Sequence, residues 1–472
     1  MSSPGRSFGG NRAPGVAYLA VLAAGWAATL TVNLPGHLTL DSLLELYEGR
    51  FRVRQSWAPS FYAWALGVFD RIGPGTGLYV AVSSLLLFVA LASYLGLRRG
   101  RASWGAALLA ALACASPLVL IYQGIVWKDV LFANAAVAGM TALAWAIRDS
   151  QQGPGRRGPA LCAALLLLAA AALLRQNGVL VGLAAAAVLG WNQARGGWRG
   201  GVAWAGGAVL AIVAVSHAMN LATQPPRTGP LLGSGDGMAE GVRVLQGYDL
   251  LGAVATDPGF PLPASTAARP QAVAAIRRLA PRYWSAERTD FTDGQPELRA
   301  ALMSIPSSAV GRDWRAFVLG HPGAYLRQRL AVFGWVFLTP RIDRCLPVAL
   351  GLQGPPDVTE ALGLSFRWSA TDDRLLAYDG ALLGTPVHSH LAYALLALVA
   401  GVLLLRRGEP ADLAIAAMLA SALAFAASFL VISIACDYRY LYFLDLAAMA
   451  GALYVALDPP WRVGRPPDAV QS

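Results

Sequence analysis

Asp41, Glu45 and Glu48 stand at helical spacing in the stretch PGHLTLDSLLELYEGRFRVRQSW, Pro35 to Trp57. Residues three and four apart share one face of a helix. An acid presented in this way can take a proton from an acceptor hydroxyl, help worth about 10²–10⁴ in rate. Lys128, Arg175 and Arg439 recur at the ends of apolar runs further along. Arginine grips a phosphate with a bidentate fork, whereas lysine acts as a point charge. Such cations stabilise a leaving phosphate by an electrostatic effect at least comparable to the proton transfer. Asp41, with Glu45 one turn on, is therefore the candidate catalytic acid pair. Lys128, Arg175 and Arg439 are candidate phosphate ligands, with Asp129, Gln176, Asn177, Asp437, Arg327 and Arg329 in support.

Each residue also has a plainer reading. Asp41 could be the N-cap of SLLELYEG, with Glu45 answering the helix dipole. Lys128, the only lysine in the chain, could neutralise Asp129 beside it. Arg175 could snorkel to lipid headgroups, and Asp437 and Arg439 could form a surface pair. Arg327 and Arg329 read more simply as lipid contacts. Tyr438, Tyr440, Tyr442 and Phe443 read as an interface belt, His37 as a solvated loop residue, and Asp445 as a bond to a neighbouring helix.

The elements that must position these residues are membrane spans. Apolar residues make up 56% of the 472-residue chain and charged residues 14%, against about 25% charged in soluble domains. Mean hydropathy is +0.49. Several uncharged runs approach the roughly 20 residues that cross a bilayer. The polar, basic N-terminus carries no evident cleavable signal peptide. Net charge is +10. In a membrane chain that excess reads as topology signal and anionic-lipid contact, and nucleic acid is not an expected partner. Cys114 and Cys162 fall in apolar runs, while Cys345 and Cys436 fall outside them and are free to pair. No metal-ligand spacing occurs.

Ten spans are expected: roughly 16–34, 78–97, 103–122, 130–147, 159–174, 179–191, 202–221, 391–405, 413–435 and 440–457. SFYAWALGVFDRI, Ser60 to Ile72, is too short and amphipathic to cross, and HPGAYLRQRLAVFGWVFLTP, His321 to Pro340, is interrupted by Arg327 and Arg329. Both are expected to be surface helices. Arginines at 6, 12, 98, 99, 101, 148, 156, 157, 195, 199, 406, 407, 462 and 465 then gather on one side, which the positive-inside rule makes cytoplasmic, with both termini. The expected class is an all-α polytopic membrane protein with a large late extracytoplasmic segment. Residues 1–222 form a first membrane module with its key loop at 35–74, 223–389 an extracytoplasmic segment or small domain, and 390–472 the last spans and tail. Asp41, Lys128, Asp129, Arg175, Asp437 and Arg439 all fall on the extracytoplasmic face. Ionisable groups at a membrane edge are costly and usually have a partner or a task.

The layout resembles the polytopic glycosyltransferases of the GT-C fold. The likeness lies in LTLDSLLELYEG, the surface helix SFYAWALGVFDRI, WKDV and LRQNG at later span ends, HPGAYLRQRLAVF, and the long late segment. It covers the whole chain in layout and short patches in residues. It implies a bacterial inner-membrane enzyme in which Asp41 activates an acceptor hydroxyl and Lys128, Arg175 and Arg439 hold the phosphate of a polyprenyl-phosphate sugar donor. The acceptor would be a glycan, lipid or protein. Many members carry two adjacent acids where this chain has Asp41-Ser42, so Glu45 or Asp41 alone must serve. No cofactor is implied beyond a divalent cation that such chemistry admits. An O-antigen ligase or polymerase, leaning on Arg327 and Arg329, and a lipid-linked-sugar flippase or transporter are the alternatives. Transporters usually carry inverted repeats and midplane charges, and no such repeat is found.

Overall fold

A computed structural model describes residues 12–56, 59–149, 157–194, 197–228 and 237–459. The expected loop cations Arg6, Arg156, Arg195, Arg462 and Arg465, and Trp57 at the end of the Asp41 stretch, lie outside them.

The described residues are helical almost throughout, with one two-residue parallel strand pair among them, Val53–Arg54 against Arg227–Thr228. Among the described residues eight helices are long and apolar enough to span a bilayer. They are Ala13–Asn33, Gly77–Leu97, Lys128–Asp149, Arg157–Leu174, Trp198–Thr223, His390–Arg407, Pro410–Ile432 and Tyr438–Leu457. The chain is thus a multi-pass membrane protein.

The expected third span is broken. Trp104–Ala115 and Pro117–Gly124 meet at a bend of 66°. Pro117 has no backbone N–H to continue the helix, and its ring pushes Ser116 into extended backbone. Counted as one, the bent pair makes nine spans. The expected sixth is the helix Val179–Ala194, whose 16 residues reach only about 24 Å.

Two helices form the centre. In the most apolar 18-residue stretch of the Lys128 helix and of the last one, 83% of the residues are buried, against 6% in Trp198–Thr223, which lines the outside. Gln123 and Asn134 exchange side-chain hydrogen bonds at 2.9 and 2.8 Å, and Gln123 also donates to Tyr442. This polar knot locks the broken helix to both central ones. Asp445 bonds His390 of a neighbouring helix at 2.9 Å, as expected. The aromatic residues differ from expectation. Tyr438, Tyr442 and Phe443 are buried, with Tyr442 stacked on Tyr122 and Phe443 edge-on to Phe132. They pack the core instead of facing lipid headgroups.

At the end remote from Asp41, Arg98 reaches Glu409 and Asp458, and Arg407 reaches the fully buried Asp412. These two arginines, expected only as loop cations, are therefore paired within the bundle.

Residues 250–317 build a second apolar cluster, centred on Leu251, Val254, Ile276, Leu298 and Phe317. Pro322–Leu338 is a helix of 17 residues, below the length of the spanning set, packed between Gly237–Thr256 and Pro410–Ile432. Arg329 is not a lipid contact. It is 1% exposed and pairs with Asp249 at 3.1 Å while donating to the Ser433 carbonyl. Arg327, two residues earlier, is exposed.

Candidate active site

The Asp41 helix runs Leu40–Phe51. Its N-cap is Thr39, which forms a capping box with Ser42. Asp41 is thus not the cap; it sits in the first turn, where the helix dipole favours a negative charge. Ser42 is buried and donates to the Val126 carbonyl at 2.5 Å. A carboxylate at this position would set an oxygen against the Val126 carbonyl.

The chain entering this helix is pinned on both sides. His37 N–H donates to the Gly124 carbonyl and the His37 carbonyl accepts from Val126 N–H, while Leu38 N–H donates to the Gly351 carbonyl and its carbonyl accepts from Gln353 N–H. The Trp127 indole donates to Thr39 Oγ1 at 3.1 Å. His37 is buried, not solvated. Gly351 N–H donates to its Nδ1, so Nε2 carries the proton and donates to Asn33 Oδ1 at 2.9 Å. Burial pushes this imidazole down to about 4, with Asp372 opposing and Arg367 adding to the shift. His37 is a neutral brace.

The second anchor is Ser60–Ile72, the expected short helix. Gly49 and Gly67 meet where it crosses the Asp41 helix, with backbone against backbone. Arg50 forks onto both oxygens of Asp70 at 2.8 and 2.6 Å. Glu48 is taken up at the end of the Asp41 helix, where its Oε1 accepts the Gln55 and Ser56 amides.

Around Asp41 three cations from three distant segments converge. Arg439 Nη2 lies 2.7 Å from Asp41 Oδ2 and 3.3 Å from Asp437 Oδ2. Its guanidinium sits 4.9 Å from the centre of the Trp127 ring, a cation–π contact. Lys128 Nζ lies 3.0 Å from Glu45 Oε1. Arg175 Nη2 lies 2.6 Å from Asp129 Oδ1, with Phe429 and Tyr440 flanking the guanidinium. Neither Asp129 oxygen accepts an aligned hydrogen bond from a described residue. Lys128 therefore does not neutralise Asp129, and Arg175 does not snorkel outward. Asn177 donates to Ser428 at 2.9 Å, and Gln176 is exposed.

Electrostatics separate the two acids of the helix. Burial pushes the Asp41 carboxyl up, but Arg439, Lys128 and Arg175 together pull it below its ordinary value. Its side chain is 42% exposed, which leaves it reachable. Glu45, one turn on, is 1% exposed, and burial pushes it up to about 7, against the pull of Lys128. One carboxylate is ionised and accessible; the other is buried and near neutrality. Two acids with such divergent environments are suited to different tasks.

No family model matches this chain, and no curated protein matches it in sequence. Among solved structures it is similar to the archaeal oligosaccharyltransferase AglB from Archaeoglobus fulgidus in complex with an inhibitory peptide and a dolichol-phosphate. The identity is 14%, over 93% of this chain and 50% of that one, with a TM-score of 0.40. It is also similar to ArnT from Cupriavidus metallidurans bound to undecaprenyl phosphate, at 14% identity over 93% of this chain and 77% of that one, with a TM-score of 0.33. The chain spans half the length of the oligosaccharyltransferase.

Arg288 carried no signal in the sequence, whereas the Cys345–Cys436 pairing was open there. Arg288 reaches Asp437 Oδ1 at 2.6 Å and extends the line of alternating charge Asp41, Arg439, Asp437, Arg288. Cys345 and Cys436 form a disulfide next to Asp437. Cys436 N–H donates to the Glu287 carbonyl and Tyr438 N–H to the Cys345 carbonyl, both at 2.8 Å. The segment bearing Asp437 and Arg439 is thus tied to 285–289 and to 345. Arg327 and Arg329 are not brought to the Asp41 cluster by any described contact; Arg329 is occupied by Asp249. Among the described residues no three His, Cys, Asp or Glu side chains gather as a metal site.

Proposed function

We propose that this chain is a membrane glycosyltransferase of GT-C-like layout. It transfers a sugar from a polyprenyl-phosphate carrier to a hydroxyl acceptor on a glycan, lipid or protein. The observation that carries this reading is a reachable carboxylate, Asp41, paired with Arg439 at 2.7 Å, with Lys128 and Arg175 close enough to act on its charge and all three cations at the ends of apolar helices.

Asp41 takes the proton of the acceptor hydroxyl. The acceptor oxygen attacks the anomeric carbon from the face opposite the carrier, the bond from that carbon to the phosphate oxygen breaks, and configuration inverts. The electron pair leaves on the carrier phosphate, which Lys128, Arg175 and Arg439 hold at the depth where lipid phosphates lie. Residues 223–389 cover the site and select the acceptor, while 1–222 supply the first loop. Disulfides persist in oxidising compartments, so the Cys345–Cys436 bond supports an extracytoplasmic site. We read the membrane as a bacterial inner membrane, and with Val179–Ala194 counted as a short tenth crossing beside the nine, both termini are cytoplasmic.

Asp41→Asn keeps the size of the side chain and removes the base. A deletion strain complemented with this variant is expected to lack one glycosyl unit by mass spectrometry of its envelope extracts, with transfer lowered at least about 10²-fold. The variant protein inserts at wild-type level. Full restoration of the glycan by Asp41→Asn would refute the role.

A further inference from the structure

The proposed carrier site poses a question about Glu45, which the transfer step itself does not use. Among the described residues its only ion-pair partner is Lys128. The two ends of that pair differ in access: the Glu45 side chain is 2% exposed and the Lys128 side chain 19%. Among the described residues, the other titratable groups acting on Glu45 are Asp41 on its own helix, Arg439, and the hydroxyls of Tyr62, on the helix packed behind it, and of Tyr79, which Tyr62 touches. Pro356–Ala361, also packed on the Asp41 helix, brings only the exposed acids Asp357 and Glu360. Arg439 is already held by Asp41 and Asp437. Neither tyrosine brings a positive charge.

A phosphate that draws Lys128 away therefore leaves Glu45 buried with no cation of its own. A buried carboxylate without a counter-ion is strongly disfavoured, and it takes up a proton instead. We propose that a lipid phosphate binds by exchanging places with Glu45 on Lys128, and that Glu45 takes up one proton from solvent as it is released. No bond to carbon changes in this step; one proton is gained by the Glu45 carboxylate for each phosphate bound. Glu45 thereby acts through Lys128 as a positioning residue that makes carrier binding proton-linked. This inference rests on the carrier-phosphate reading given above.

Sign and pH window follow from the free protein. Glu45 there loses its proton as pH rises through about 7. Below about pH 6 it is already neutral, and binding needs no uptake. Above about pH 8 it is ionised, so binding must recruit a proton and weakens about tenfold per pH unit.

The test uses the full-length protein in detergent and a farnesyl methyl phosphodiester, which has no titrating group of its own in this range. Isothermal titration calorimetry in buffers of low and high ionisation enthalpy counts the protons taken up. Close to one proton per ligand is expected at about pH 8 and close to none at about pH 6. Glu45→Gln is expected to bind at least as tightly, with no uptake and a flat pH profile. Binding by the wild type without uptake at about pH 8 overturns the exchange, as does uptake that survives Glu45→Gln. Because the wild-type count stands alone, a misfolded variant does not remove the test. If the probe fails to bind the wild type at all, the carrier-phosphate reading falls, and the exchange falls with it.

Discussion

Arg439 holds the balance of Asp41. It supplies the largest of the pulls that lower the Asp41 carboxyl, by charge and by a hydrogen bond. Arg439→Gln is therefore expected to move the acid limb of the pH–rate profile to higher pH. The base must be ionised to act, so activity fades as pH falls through its pKa, and that pKa rises once the guanidinium is gone. The same change is expected to lower kcat/KM by about 10²-fold or more through the lost phosphate contact. An unshifted acid limb would mean that Arg439 does not tune Asp41. At this scale the sequence made most of the charged residues visible but not their partners. Lys128 and Asp129 look like a pair because they are adjacent. Successive residues on a helix point about 100° apart, so each instead meets a side chain from another element: Glu45 and Arg175. Arg288, in a polar stretch far from any span, could not be singled out without its contact to Asp437.

The Asp41 helix owes its position to the crossing with Ser60–Ile72. A methyl added at Gly49 would collide with the Ala63 carbonyl, and one at Gly67 with the Gly49 carbonyl. Neither neighbour is the end of a flexible side chain, so the helices must part. Gly49→Ala is expected to cost about 1–3 kcal/mol or more and to lower the Tm of the detergent-solubilised protein. It should also reduce transfer, although it touches no reacting group. Retained Tm and transfer would show that the crossing is looser than its geometry implies. The helices were legible because their apolar runs are long and their ends are marked by arginine. The break at Pro117 was hidden, because the apolar run continues unchanged across it and a proline can also sit within a kinked span. Thr39 gives little sign of being the cap, because its partner is Ser42, not the Glu or Gln of the usual box. The aromatic cluster at 438–443 was misplaced because composition alone cannot tell a lipid-facing ring from one stacked in the core.

Across the molecule, the disulfide joins residues 91 apart and fixes the segment that carries Asp437 and Arg439. A closed loop of that size stabilises by about 4–5 kcal/mol in the chain-entropy account. Cys436→Ser is expected to lower the Tm, and reductant should lower the Tm of the wild type but not of the variant. Identical melting with and without reductant would argue that the bond is not formed in the isolated protein. Cysteine positions allowed this pairing, but only the packing of 285–289 and 345 against 434–438 shows what it holds in place. Asp41 and Arg439 stand 398 residues apart, one after the first span and the other at the start of the last. At about 5–20 residues per second, a ribosome needs roughly 20–80 s to travel between them. Throughout that interval the acid is already made, while its guanidinium partner has yet to be synthesised. On the proposed function, chemical competence is thus a late event of biogenesis, and a chain cut short anywhere before its last helix is expected to be born inert.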